Sequence, residues 1–269
     1  MSRRWQQVRH QLRRNRPAQF SLFVLFIFVI AALCAGLSPY DPDRMALGAR
    51  TLPPDAAHWF GTDEYGRDYF TRALYGGQIS LMVGFLAMLF STLIGTVVGT
   101  VSGYFGGWLD NLMMRAVDIL MAIPAFFLLL VVNAYLKPGV DNIILIISLL
   151  TWMNMSRLVR AETLSVKERE YVLYARASGE HPLRIIVRHI IPGVLPTIIV
   201  AATLNIASAI LMESTLSFLG LGVQAPAASW GSMLNNAQSY IGEASWLAMF
   251  PGILILLTVF SFNVLGDVF

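Results

Sequence analysis

The sequence predicts an all-α integral membrane protein with six membrane-spanning helices. Charged residues make up only 13% of the 269 residues, whereas soluble domains contain about 25%. The mean hydropathy is +0.63, and the apolar residues form stretches long enough to cross a bilayer, which takes about 20 residues in a helix. Low charge and long apolar stretches together assign the chain to the membrane class.

Six apolar stretches are predicted to span the membrane. They comprise residues 20–37, 79–104, 112–136, 143–155, 196–216 and 246–265. A cleaved signal peptide is the alternative for the first stretch, which is short but lacks the small-residue cleavage pattern of such peptides. An even number of spans places both termini on the same side of the membrane.

The basic residues indicate which side that is. Of the 19 lysines and arginines, fourteen lie on the N-terminal side: six before the first span, seven between spans four and five, and Arg115. The positive-inside rule therefore places both termini and that loop in the cytoplasm. Residues 1–19 are then a basic tail and residues 38–78 are extracytoplasmic. Residues 79–269 form a core of five spans with a cytoplasmic loop at 156–195.

Gly95, Gly99 and Gly103 recur every four residues in the second predicted span. This spacing places the three glycines on one helix face, where a second helix can approach closely. The alternative is that glycine is simply frequent in membrane helices. The regular register favours a helix-packing seam.

Three charged residues fall within or close to predicted spans. Arg115 and Asp118, at i and i+3, can pair with each other near the cytoplasmic interface. Glu213, near the outer end of span five, is expected to face protein or a water-filled cavity instead of lipid. It is a candidate gate or cavity residue, and the alternative is a structural carboxylate held by loop amides.

Motifs of catalysis and metal binding are absent from the sequence. Neither lysine, Lys137 or Lys167, ends a phosphate-binding loop, so this chain is not expected to bind ATP. No G-x-S-x-G or H-E-x-x-H pattern occurs. His181 and His189 lack a cysteine or carboxylate to complete a metal site. A net charge of +3 is too small to indicate nucleic-acid binding.

The cytoplasmic loop between spans four and five is predicted to contain two short helices. The first covers Glu170–Ala177 and stops near Gly179, and the second begins at Pro182. Pro192, Gly193 and Pro196 are expected to end it and to lead into span five. Its apolar residues recur at helical spacing; they are Leu183, Ile186, Val187 and Ile190. A solvated loop that only fixes topology would explain the arginines, whereas a docking surface for a soluble partner explains the apolar stripe as well.

Several strings along the chain resemble the permease subunits of ATP-binding-cassette importers, and specifically the second, C-type permease of the dipeptide, oligopeptide and nickel uptake family. They are FGTDEYGRD at 60–68, GYFGGWLD at 103–110, LSFLGLGVQAP at 216–226, SWGSML at 229–234 and FNVLGD at 262–267. The resemblance covers nearly the whole chain after the N-terminal tail. It implies a type I ABC importer permease fold.

The cytoplasmic signature of that family is Glu-Ala-Ala, three residues, Gly, nine residues, and Ile-x-Leu-Pro. Gly179 and Pro192 stand at the matching positions. Leu173 replaces the glutamate, and Glu170, one helical turn earlier, is a substitute. The resemblance implies a coupling loop that docks into a groove of an ATPase subunit and transmits the closure of that subunit to the membrane spans. Its residues would be Glu170, Ala175, Ala177, Gly179, Pro182, Leu183, Arg184, Arg188 and Pro192.

The resemblance also implies the partners and the mechanism. A homologous second permease would complete a heterodimer in the prokaryotic inner membrane. Two ATPase subunits would bind ATP and magnesium, and an extracytoplasmic binding protein would deliver substrate for alternating access. This chain would bind no cofactor and catalyse no reaction. Peptides are the expected substrates; nickel or a metal–chelator complex is the alternative, followed by a stand-alone secondary transporter.

Overall fold

A computed structural model describes residues 15–135 and 139–268 of the chain. Its helices are α1 (Arg16–Leu33), α2 (Tyr69–Phe105), α3 (Gly107–Met121), α4 (Ala125–Tyr135), α5 (Val140–Val166), α6 (Glu170–Ala177), α7 (Pro182–Phe218), α8 (Trp230–Ala237) and α9 (Trp246–Val268). Short 3-10 turns cover Ala35–Leu37, Leu47–Ala49 and Gln238–Tyr240. In these two ranges the β pairing is limited to a bridge between Thr62 and Asp68. The predicted all-α class is confirmed.

Within the described ranges, five helices are long and apolar enough to cross a membrane, namely α1, α2, α5, α7 and α9. The predicted third span is instead divided into α3 and α4, with Pro124 between them. A proline lacks the amide hydrogen of a helix and its ring clashes with the preceding turn. Six continuous spanning helices are therefore not confirmed.

Together, α3 and α4 still run from one end of the bundle to the other. Helix α3 starts directly after α2 ends. Leu129 of α4 packs with Ile143 and Ile147, which lie near the start of α5. Residue 136, the last of the predicted third span, lies outside the described residues.

Helices α2 and α5 run parallel, and the three regularly spaced glycines of α2 face α5. A methyl group built on Gly99 would lie 2.5 Å from the backbone oxygen of Ser156. Gly95 and Gly103 lie equally close to successive turns of α5. Side chains at these positions would force the two helices apart, so the glycines set their separation.

Helices α1 and α9 are antiparallel, with the start of α1 against the end of α9. Ala18 of α1 forms an apolar cluster with Leu265 and Val268 of α9. The two ends of the described chain therefore lie toward the same end of the bundle. Residues 1–14, which hold most of the predicted basic tail, are outside the described residues.

The segment between α1 and α2 is organised by buried ion pairs. Asp63 is bonded to Arg67, with 2.6 Å between Oδ2 and Nε, and lies 3.6 Å from Nε of Arg72. All three residues are buried. This carboxylate neutralises part of the arginine charge and joins the segment to the first turn of α2.

Helix α2 begins at Tyr69, whereas the span predicted from the sequence begins ten residues later, at residue 79. Asp68 is the N-cap, and its Oδ2 accepts the amide hydrogen of Thr71 at 2.8 Å. An aspartate at this position satisfies an amide that has no partner inside the helix. The hydropathy pattern locates the apolar middle of the helix, whereas the cap determines where the helix starts.

Candidate coupling surface and buried carboxylate

The first helix of the predicted loop, α6, ends in a left-handed turn at Gly179. Gly179 has φ +76. Its amide donates to the Arg176 carbonyl and the amide of Glu180 donates to the Ala175 carbonyl, both at 3.1 Å. This pair of bonds is the Schellman motif, which satisfies the last carbonyls of a helix and favours glycine at the position with positive φ.

The second helix starts at Pro182, as the sequence predicts, but it does not end at Pro192 and Gly193 or at Pro196, which lies inside the helix. His181 is the N-cap, and the helix continues as α7 to Phe218. A π-helical turn, Ile186–Ile190, precedes Pro192. The wider turn changes the hydrogen-bond pattern just where proline cannot donate, so the chain passes both residues without leaving the helix.

The predicted apolar stripe at the start of α7 is divided between two environments. Ile186 and Ile190 are buried in a cluster with residues of α2, α5 and α6. Leu183 and Val187 are 59% and 64% exposed. The buried pair anchors the loop to the bundle, while the exposed pair is free to contact another protein.

A groove of about 750 Å³ lies between α6 and the π-helical turn. Its lining residues are Glu170, Tyr171, Tyr174, Ala175, Ser178, Glu180, Arg188 and His189. Nε2 of His189 lies 3.0 Å from Oε2 of Glu180, which holds the two walls together. Tyr174 is 77% exposed. We call Tyr174, Leu183, Val187 and this groove the coupling surface.

The structure places every loop residue selected from the sequence near this surface, but not with equal exposure. Glu170 lies in the first turn of α6 and lines the groove. The family signature has its glutamate three residues later, at the position of Leu173. Ala175 is buried against the bundle. Pro182 is half-buried, and the exposed members of the set are Glu170, Ala177, Gly179, Leu183, Arg184, Arg188 and Pro192.

Polar contacts join the end of α5, which leads into the loop, to α2 and α3. Nζ of Lys167, at the end of α5, donates to the Gly103 carbonyl at 3.0 Å. Asp110 of α3 accepts two hydrogen bonds from Arg160 of α5 and one from Ser102 of α2. The hydrogen bonds from Arg160 lower the pKa of Asp110 because they stabilise its charged form. Three helices are thereby tied together beneath the loop.

Glu213 lies toward the opposite end of α7 and has no exposed surface. Its carboxylate accepts hydrogen bonds from the hydroxyls of Ser80 at 3.0 Å, Ser217 at 2.7 Å and Ser214 at 3.4 Å. Ser229, the N-cap of α8, also interacts with it. Glu213 therefore faces protein. Its hydrogen-bond donors are serine hydroxyls, whereas the sequence suggested loop amides.

Two contacts of charged residues were not foreseen from the sequence. Asp118 pairs with Arg157 of α5, whereas the sequence suggested Arg115 as its partner. The Asp110–Arg160 pair joins residues that are far apart in the chain, so local spacing carries no signal for it. The string GYFGGWLD includes Asp110 and marks this region as part of the family resemblance, but it does not indicate that Arg160 is the partner of Asp110.

Comparison with known proteins agrees with this architecture. Residues 95–269 match the family of binding-protein-dependent transport system inner membrane components. Residues 3–54 match the N-terminal TM domain of oligopeptide transport permease C. An inward-facing structure of the MetNI methionine ABC transporter matches with a TM-score of 0.61 and 20% identity, over 71% of this chain and 91% of that one. At this identity the match supports the fold.

Curated relatives extend over nearly the whole chain. The dipeptide transport system permease protein of Bacillus subtilis is 44% identical over 96% of this chain and 81% of its own length. The oligopeptide transport system permease protein of Escherichia coli is 41% identical over 98% of this chain and 88% of its own length. The resemblance predicted from the sequence is confirmed: the chain belongs to the family of binding-protein-dependent transport system inner membrane components, a family of multi-pass inner membrane proteins.

Proposed function

We propose that this chain is a permease subunit of an ATP-driven ABC importer that moves peptides across the inner membrane by alternating access. The observation that carries the proposal is the divided apolar stripe of α7. One half packs into the bundle and the other half, Leu183 and Val187, is exposed. Relatives with names of dipeptide and oligopeptide permeases support the substrate class.

The coupling surface fits a docked ATPase subunit. Leu183 and Val187 are exposed apolar side chains, and the groove on the same loop is lined by Tyr174 together with charged residues such as Glu170 and Arg188. Interfaces commonly join an apolar centre to a polar rim. Movement of a docked partner would reach the spans because the same loop is buried against α2 and α5. A stiff element with two discrete positions can carry such movement.

The proposed complex has a second permease, two ATPase subunits that bind ATP and magnesium, and an extracytoplasmic binding protein. The chain itself has no phosphate-binding loop, so ATP hydrolysis belongs to its partners. The loop at 156–195 and both termini would lie in the cytoplasm, as the excess of basic residues on that side requires. Residues 38–78 would then face the binding protein.

Reconstitution tests the proposal. The chain is purified with the permease, ATPase and binding-protein subunits from its own source, and uptake of labelled di- and oligopeptides into proteoliposomes is measured. Uptake should require ATP inside the compartment that holds the ATPase subunits, and it should stop when either the ATPase or the binding protein is omitted. Uptake by this chain alone, driven by an ion gradient, would identify a secondary transporter and refute the proposal.

A further inference from the structure

The buried carboxylate of Glu213 is surrounded by donors from three different helices. Ser80 belongs to α2, Ser214 and Ser217 belong to α7 with Glu213 itself, and Ser229 caps α8. A carboxylate has about four acceptor positions, and hydroxyl groups occupy them here. Because these hydroxyls belong to three helices or their caps, the Glu213 side chain joins the three helices at one point.

Helix α8 is held to this point through its first turn. The amide of Trp230 donates to Oγ of Ser80 at 3.2 Å, and Ser80 in turn donates to Glu213. Gly231 lies so close to α7 that a methyl group built on it would be 2.6 Å from the Ser214 backbone. The position of α8 therefore depends on Ser80 and Glu213 together with close backbone packing.

The other end of α7 carries the coupling surface. Leu183 and Glu213 lie on the same continuous helix, and thirty residues at about 1.5 Å each separate them by roughly 45 Å. One helix thus joins the proposed ATPase contact to the buried carboxylate. A shift or rotation of α7 at the loop changes the position of Glu213 relative to α2.

We propose that Glu213, Ser80 and the Trp230 amide form a latch that holds α8 closed over the extracytoplasmic end of the bundle, and that movement of α7 opens it. This inference rests on the proposed function and adds a gate to it. Glu213 acts as a positioning residue. A buried carboxyl group that loses its donors is left unsatisfied, which is costly, so we expect the latch to open only when α8 moves and water reaches Glu213.

Thiol labelling of α8 tests the latch. Cys34 is the single cysteine, so Cys34→Ser gives a cysteine-free parent. Ala237 of α8 is buried and its neighbour Asn236 is exposed. Ala237→Cys reports opening through its reaction with a membrane-impermeant maleimide, and Asn236→Cys is the control that reacts in either state. Labelling is measured in proteoliposomes that contain the assembled importer without nucleotide.

In this background Glu213→Gln should raise the labelling rate of the Ala237→Cys variant by about tenfold or more, because the amide nitrogen of glutamine cannot accept the hydroxyl hydrogen bonds that a carboxyl oxygen of Glu213 accepts. Ser80→Ala should raise it in the same direction. Glu243→Gln, which changes an exposed carboxylate outside the latch, should leave the rate unchanged. If Glu213→Gln does not assemble, Ser80→Ala decides the test.

An unchanged labelling rate in Ser80→Ala and in any assembled Glu213→Gln importer would overturn the latch. The proposed function fails differently. It fails if the parent importer shows no ATP-dependent peptide uptake, whatever the labelling rates are. Faster labelling in the Glu213→Gln variant, with no effect of ATP on labelling in the parent, would overturn the proposal that movement of α7 opens the latch.

Discussion

Arg160 of α5 donates two hydrogen bonds to the carboxylate of Asp110 in α3, at 2.5 Å from Nε to Oδ1 and 2.6 Å from Nη2 to Oδ2. Bidentate pairs of this kind fix orientation as well as distance. The pair lies beneath the coupling surface, where α2, α3 and α5 meet. It therefore stiffens the part of the bundle that the proposed ATPase would move.

Asp110→Asn should weaken this junction. The amide keeps the shape of the side chain but loses its charge, and we expect the free energy of unfolding to fall by about 1–3 kcal/mol. Thermal unfolding of the purified chain in detergent measures the loss. Asp141→Asn, at the opposite end of α5, is the control, and an equal loss in both variants would contradict a specific role for the pair.

The same pair gives the stability a pH dependence with a definite sign. Because the pKa of Asp110 is lowered in the folded chain from its ordinary value of 3.8, the folded state favours the carboxylate. Its contribution to stability is complete above about pH 3.8 and is lost as the pH falls through the lower folded value. Unfolding temperatures of the parent and Asp110→Asn should therefore converge at acid pH. A constant difference would contradict the shift.

Gly179→Val should uncouple ATP hydrolysis from uptake while the protein still inserts and assembles. A methyl group on Gly179 meets no atom within 4 Å, so the effect comes from the backbone alone. A branched residue at φ +76 costs about 1–2 kcal/mol, which is enough to reshape the turn between α6 and α7.

ATPase activity and peptide uptake, measured on the same proteoliposomes, give the coupling ratio. Gly179→Asn should retain more coupling than the valine variant because asparagine tolerates the left-handed region. Gly242→Val is the control, since Gly242 also has open space around it and no positive φ. Normal coupling in Gly179→Val would remove the turn from the mechanism.

Leu183→Asp should weaken association with the ATPase subunits. Burying an exposed leucine in an interface contributes about 1.5–3 kcal/mol, so a charge there should reduce affinity by roughly tenfold or more. Co-purification at graded ATPase concentrations measures the change. Leu183→Met, which keeps the side chain apolar, should bind like the parent. Equal binding of the aspartate variant would show that α7 does not dock through this face.

Gly99→Ala should separate α2 from α5. The added methyl group would lie 2.5 Å from a backbone oxygen that cannot move away, and overpacking of this kind costs about 1–3 kcal/mol. Gly252→Ala in α9 is the matched control because nothing lies within 4 Å of it, and there the better helix propensity of alanine should be neutral or stabilising. A stable Gly99→Ala protein would contradict the close seam.

Some features of the coupling surface follow from local sequence and others do not. Glu170–Ala177 forms a helix with Gly179 after it because these signals act within one or two turns of chain. The stop expected at Pro192 was wrong because the preceding π-helical turn lets the helix pass it. Prolines mark a constraint on the backbone, and the surrounding packing decides whether the helix ends or adapts.

The sequence by itself determined the membrane class, the apolar middle of the five long helices α1, α2, α5, α7 and α9, the family and the turn at Gly179, because hydropathy and backbone preference are local properties. Only the tertiary structure decided that Asp118 pairs with Arg157 and that Ser80 donates a hydrogen bond to Glu213. It also showed which half of the α7 stripe is exposed. These relationships join residues distant in the chain, and their energies depend on distance and burial that exist only once the helices have packed.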